Sequence, residues 1–209
     1  MQSKGIIFIL SAPSGTGKTT ICRMLKKKLP SLKFSVSHTT RKPRNEEKDG
    51  VDYYFISLND FEKKIKRGEF LECARVFEHF YGTAFESVDR LQQKGEDILI
   101  EIDVQGAKAL RDLNYKAIFI FMLPPSLKDL KKRLKKRGTE SEDIIRGRLE
   151  AGKKEVQQLN LYDYILTNID TEETTENLIS IIRAEKSRKE RYKPPSSDLK
   201  ALISNKENN

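Results

Sequence analysis

The stretch at 10–20, "LSAPSGTGKTT", sets Gly15 and Gly17 beside Lys18, Thr19 and Thr20. These are the residue types of an anion cradle: glycines let backbone amides approach phosphate, a lysine adds a point charge, and a hydroxyl can ligate Mg²⁺. The pattern G-x-x-x-x-G-K-[ST] is met at Gly17, Lys18 and Thr19, while Ala12 stands where the first glycine belongs. Alanine there is strained only if its φ is positive, so Ala12 is expected at φ < 0. Ala12, Pro13, Ser14, Gly15, Thr16, Gly17, Lys18, Thr19 and Thr20 are read as a nucleotide phosphate site, with Thr19 as the metal ligand. The alternative is a structural turn with an exposed lysine.

Phosphoryl transfer rests on positioning and charge neutralisation more than on covalent chemistry. Such a site therefore needs a second anion pocket for the acceptor and further arginines for the transferred group. "TTRKPR" carries Arg41 and Arg44 around Pro43, which keeps the backbone extended and fixes where the guanidinium groups project. "KKRLKKRG" and "IIRGRLE" add Arg133, Arg137 and Arg148, whose alternative reading is solvated surface charge. "LIEID" puts Glu101 and Asp103 at i and i+2, on one face at a strand's end. His38 and His79 lack metal-ligand spacing and receive no chemical role.

The elements that must hold these groups follow from apolar periodicity. "GIIFIL" (5–10), "DILIEID" (97–103) and "KAIFIFML" (116–123) are almost continuously apolar, as strands covered on both faces are. Helical patterns are expected over 19–29, 58–66, 87–94, 105–113 and 126–137. Strands alternating with helices imply a parallel sheet. Residues 33–85 break that rhythm with several short strands, a polar loop and one short helix, suggesting a β-rich inserted lobe. Residues 139–158 read as a polar helical flap, "YDYILTN" (162–168) as a last strand, and 171–189 as a closing helix.

The expected organisation is core over 1–33, lobe over 34–86, core over 87–137, lid over 138–158, core over 159–193, and a mobile tail over 194–209. A chain of 209 residues fits one such domain and needs no disulfide staple. The net charge of +9 collects around 128–137 and from 183 onward without interleaved aromatics, which argues against single-strand nucleic-acid binding. No apolar run approaches the roughly 20 residues of a membrane span. Cys22 and Cys73 read as two reduced thiols, which suits the cytoplasm. Monomer and homodimer both stay open.

The ordered motifs "SAPSGTGKTT", "FSVSHTTRKPR", "GVDYYF", "GEFLE", "YGT", "IEIDVQG", "PPS", "LKKRGTE" and "TN" carry a specific resemblance. From about residue 6 to 189 the chain resembles the guanylate kinases, which phosphorylate GMP to GDP with ATP and Mg²⁺. The resemblance implies an α/β fold: a three-layer P-loop NTPase core with a parallel sheet, a small β-rich GMP-binding lobe and a helical lid. By the same resemblance Arg41, Arg44, Tyr53 and Tyr81 hold the GMP phosphate, while Ser37, Glu72 and Thr83 read the base. Glu101 and Asp103 lie near GMP and the Mg²⁺ waters, with Glu101 in place of the commoner aspartate. Lys18, Arg41, Arg133, Arg137 and Arg148 are the implied catalytic cations, and Asn168 lies near the donor adenine. Arg146 is passed over because Arg148 fits the register better. A guanylate-kinase-like binding module without catalysis is the alternative function.

Overall fold

A computed structural model describes residues 4–44, 47–136, 142–192 and 196. The first half runs β1 (Ile7–Ser11), α1 (Lys18–Lys28), β2 (Lys33–Phe34), β3 (His38–Thr39), β4 (Tyr54–Phe55), α2 (Leu58–Lys66), β5 (Phe70–Val76) and β6 (His79–Ala84). There follow α3 (Phe85–Gln93), β7 (Ile98–Glu101), α4 (Val104–Asp112), β8 (Ile118–Leu123), α5 (Leu127–Lys136), α6 (Glu142–Val156), a 3₁₀ turn (Leu159–Leu161), β9 (Tyr164–Thr167) and α7 (Thr171–Lys186). Arg137 and, Ser196 apart, the expected tail over 194–209 lie outside the described residues.

The larger sheet has the order β2-β7-β1-β8-β9 with every neighbouring pair parallel. Alternation along its strands sorts side chains to two faces. Phe8, Leu10, Leu99, Ile120 and Met122 pack with Ile21 and Leu25 of α1 and with Leu178, Ile179 and Ile182 of α7. Ile7, Ile9, Ile98, Ile100 and Phe119 pack on the other face with Val88 of α3 and Ala107 and Leu110 of α4. Helices, sheet and helices thus form three layers, which is why the central strands read as unbroken apolar runs.

The smaller sheet has the order β4-β3-β6-β5. β6 pairs antiparallel with β3 and β5, and β3 pairs parallel with β4. Its apolar centre is aromatic: Phe61 of α2 stacks on Phe70 at 4.6 Å and meets Phe80 at 5.6 Å between centroids. His38 lies in this packing against Tyr54 and Phe70, and burial lowers its proton affinity, so it is a packed ring. Phe34, expected in the lobe, pairs instead with Leu99 of the larger sheet. β2 is too short to show the alternation that would have assigned it.

Local chemistry sets the helix starts. Ser57 Oγ accepts from the Asp60 amide at 3.1 Å to begin α2, and Asp170 accepts from the Glu172 and Glu173 amides at 2.9 Å to begin α7. α1 differs: its N-cap is Gly17, no side chain caps it, and its first turn carries no acidic residue. Its leading amides therefore stay open to an external anion.

Candidate active site

The phosphate loop leaves β1 at Ser11 and enters α1 at Lys18. Gly15 and Gly17 have φ of 92° and 103°, whereas Ala12 is not among the positive-φ residues, as its methyl group requires. A Cβ on Gly17 would stand 2.6 Å from Asn168 Nδ2 and one on Gly15 would stand 2.9 Å from Leu134 Cδ2. Both glycines are therefore demanded twice, by dihedral and by space. Lys18 Nζ reaches the Ile102 carbonyl at 3.4 Å, which holds it along the sheet's carboxyl end.

Two distant segments brace the loop from below. Asn168, just after β9 and fully buried, donates through Nδ2 to the Thr16 carbonyl at 2.7 Å. Arg133 of α5 donates to the same carbonyl at 2.7 Å and to the Asn168 carbonyl at 3.0 Å. Asn168, expected near the donor adenine, is thus tied to the phosphate loop through Nδ2, while its Oδ1 is buried without a hydrogen-bond partner among the described residues. Arg148 of α6 donates to Ser14 Oγ at the loop's start, and its guanidinium carbon lies 5.0 Å from the Phe77 ring centroid. Pro13, Thr19 and Thr20 complete the loop, with Thr19 and Thr20 exposed in the first turn of α1.

Glu72, Ser37 and Thr83 come together in the lobe. A register shift between Phe70 and Glu72 interrupts the pairing of β5 with β6, so Leu71 and Glu72 are buried in succession. Such a bulge re-aims a side chain, and here it turns Glu72 inward. Its Oε1 accepts from the Thr83 amide at 3.1 Å, and Ser37 Oγ and Thr83 Oγ1 lie 3.2 Å apart. Glu72 is only 8% exposed, so it is no solvated surface charge. Burial, reinforced by the charge of Asp103 and opposed by the Thr83 hydrogen bonds and Lys18, pushes its carboxyl up to about 7.

The arginine and tyrosine group forms a second cluster. Arg41 Nε donates to Tyr81 Oη at 3.3 Å, and its guanidinium forks onto both Glu47 oxygens at 2.9 Å. Tyr53 packs edge-on to Tyr81 with centroids 5.9 Å apart. Burial raises the Tyr53 phenol well above its ordinary value, and the charge of Glu101 adds to this. Arg44 gives its backbone amide to Glu47 at 2.9 Å, while the residue itself is exposed. Burial works against the Glu47 carboxylate, yet bonds from Arg41 and Arg44 hold it below the usual range.

Glu101 ends β7, but Asp103 no longer belongs to the strand: it is the N-cap of α4, accepting from the Gly106 amide at 2.9 Å. The expected shared strand face is therefore replaced by a strand end followed by a helix cap. Gly106 has its own reason to be glycine, since a Cβ there would lie 2.4 Å from Glu72 Oε2.

Several residues at the site carry no sequence signal of their role. Glu155 of α6 looks like one more surface charge in a polar helix. In the fold its Oε2 is buried without a hydrogen-bond partner among the described residues. Burial and then Asp103 push it up to about 7, with Lys18 acting the other way. Glu47 and Phe77 likewise carry no sequence signal of their role, although the acid following two arginines in "RKPRNEE" hints at Glu47. No group of three or more potential metal-binding side chains occurs among the described residues. The oxygen donors of Thr19, Asp103 and the orphaned Glu155 still fit a hard divalent cation that keeps most of its ligands from phosphates and water.

Comparison with known proteins agrees with this layout. The family model described as guanylate kinase matches residues 4–185. A guanylate kinase of Clostridioides difficile is 45% identical over 190 residues, covering 91% of this chain and 93% of its own length. One of Clostridium tetani is 45% identical over 193 residues, covering 92% of each. The crystal structure of guanylate kinase from Anaplasma phagocytophilum superposes with a TM-score of 0.75 at 32% identity, covering 99% of this chain and 97% of that one.

Proposed function

The chain belongs to the guanylate kinase family, and we propose that it transfers the γ-phosphoryl group of ATP directly to a phosphate oxygen of GMP, with dGMP as a second acceptor. The observation that carries this reading is the buried trio of Glu72, Ser37 and Thr83 in the lobe, beside a phosphate loop with an uncapped helix end. An ionised Glu72 accepts from guanine N1–H and the 2-amino group. Adenine offers an acceptor at N1 and no 2-amino group, and would leave that carboxylate buried and unpaired. Discrimination by an unsatisfied polar group reaches about 10⁴-fold or more.

In this mechanism a GMP phosphate oxygen attacks the γ-phosphorus, the bond to the β–γ bridging oxygen breaks, and ADP leaves. The acceptor is already anionic, so no general base is assigned. Arg41, Arg44, Tyr53 and Tyr81 hold the acceptor phosphate, and the forked contact of Arg41 with Glu47 keeps its guanidinium oriented before GMP arrives. Lys18, Arg133 and Arg148 neutralise charge on the transferred group, and Arg137 is assigned to the same task from sequence alone. Thr19 would hold a magnesium ion, which supplies charge neutralisation at the donor phosphates. Lobe and lid exclude water from the transfer and so suppress hydrolysis. Free Cys22 and Cys73 and a pair of nucleotide substrates support a cytoplasmic place. No helix of the described residues is long and apolar enough to cross a membrane.

A coupled assay offering ATP with GMP, dGMP, AMP, UMP or CMP tests the reading. Turnover confined to GMP and dGMP is expected, and equal use of AMP would overturn the assignment of Glu72.

A further inference from the structure

The loop joining β5 to β6 is a two-residue hairpin connection, since Val76 pairs with His79. Its first central residue, Phe77, has φ 56°. That position of a tight hairpin favours glycine, and a bulky residue there is a backbone outlier. Phe77 is also 47% exposed, so burial of its ring does not explain why the turn tolerates an aromatic. What the ring does touch is Arg148, whose guanidinium carbon stands 5.0 Å from the centroid, within cation–π range. The turn is held in place from the lobe and core: Arg75 Nε donates to the Phe77 carbonyl at 3.2 Å, and Gln105 Nε2 donates to the Arg75 carbonyl at 3.2 Å. The same Gln105 amide donates to Asp103 Oδ2 at 3.2 Å. On the far side Arg148 reaches Ser14 of the phosphate loop.

We propose that Phe77 is a positioning residue for phosphoryl transfer: from the tip of the lobe hairpin its ring seats the lid guanidinium of Arg148 over the phosphate loop. The proposal rests on the kinase reading above. Strained backbone persists where the surroundings over-determine it and marks candidates for function. Here the strain places an aromatic face between the acceptor lobe and the lid, so that the lobe hairpin and the lid arginine take up their places together. A lid arginine without that face keeps its charge but loses its aim, and the loss falls on the transition state more than on the binding of either nucleotide.

Phe77→Gly separates this role from a structural one, because glycine suits φ 56° better than phenylalanine. The expected result is a melting temperature equal to or above that of the wild type. With it, kcat falls by roughly 2- to 5-fold, the range of a partly exposed cation–π contact, and KM for ATP and GMP changes little. Phe77→Leu should lose rate as glycine does, and Phe77→Trp should restore it. The effect of Phe77→Gly should vanish in an Arg148→Met background. Unchanged kcat in Phe77→Gly, or an equal loss in both backgrounds, overturns the proposal. The chain contains no tryptophan, so Phe77→Trp also supplies a lone indole. Its emission, read with GMP and a non-hydrolysable ATP analogue, should change when Arg148→Met is added. Absence of wild-type GMP phosphorylation counts against the kinase reading, whereas an emission indifferent to Arg148 counts against the Phe77 contact whatever the turnover.

Discussion

The carboxylate of Glu72 is held under tension between burial and use. Burial raises its proton affinity to about 7, while reading guanine requires the ionised form. A raised carboxyl favours the folded state below its ordinary value of 4.5, and that advantage is lost as pH rises through about 7. Glu72→Gln should therefore unfold at a higher temperature than the wild type at about pH 8, by at most about 3 kcal/mol of stability. The same variant should lose roughly 10²-fold or more in kcat/KM for GMP. In the wild type, KM for GMP should fall between about pH 6 and pH 8, and flatten in the variant. Full GMP turnover by Glu72→Gln would falsify the base-reading role. Gly106 offers a companion test, because its missing side chain leaves room for Glu72 Oε2. Gly106→Ala suits a helix better than glycine does, yet it should raise KM for GMP by roughly 10- to 100-fold through displacement of that carboxylate. An equal rise in KM for ATP would point to general damage.

At the scale of elements, the phosphate loop is a local motif with non-local foundations. Its glycines and open helix end are written within a few residues, but Asn168 after β9 and Arg133 of α5 both anchor the Thr16 carbonyl. Asn168→Ala removes one of those donors and leaves a cavity, a loss of about 1–3 kcal/mol. The expected functional result is a rise in KM for ATP, with GMP affinity measured alone unchanged. Parallel losses at both nucleotides would show that Asn168 supports the whole fold and not the loop. The bulge in β5 is the lobe's counterpart: one extra residue turns Glu72 inward and leaves Cys73 exposed. Regular alternation would have put Glu72 on the face of Phe70; the shift pairs it with Thr83 instead, on the face it shares with buried Ala74.

For the whole molecule, the phosphate loop follows a strand of the larger sheet while Glu72, Tyr81 and Thr83 lie on strands of the smaller one, so the two nucleotides should bind separately. A ligand at a hundred times its Kd stabilises by about 2.7 kcal/mol, which for a chain of this size raises Tm by roughly 5–11 °C. GMP and a non-hydrolysable ATP analogue should each give such a shift. Arg41→Ala should abolish the first and spare the second, as read by differential scanning calorimetry.

The three-layer frame was legible in the sequence because strands covered on both faces must be apolar throughout, and because helix caps and the phosphate loop depend on residues close in the chain. The short β2 escaped that logic, and Phe34 went to the larger sheet. The arginines, tyrosines and Glu72 were recognisable as types and through ordered motifs, but not in their attachments. Tertiary structure alone decided that Arg41 forks onto Glu47, that Asp103 caps α4, that Asn168 lies under the loop and that Phe77 meets Arg148. It also decided that Glu155, one acid among many in a polar helix, loses its solvent beside Lys18 and Asp103. Burial and long-range contact arise from how separate elements pack, and no window along the chain contains both partners.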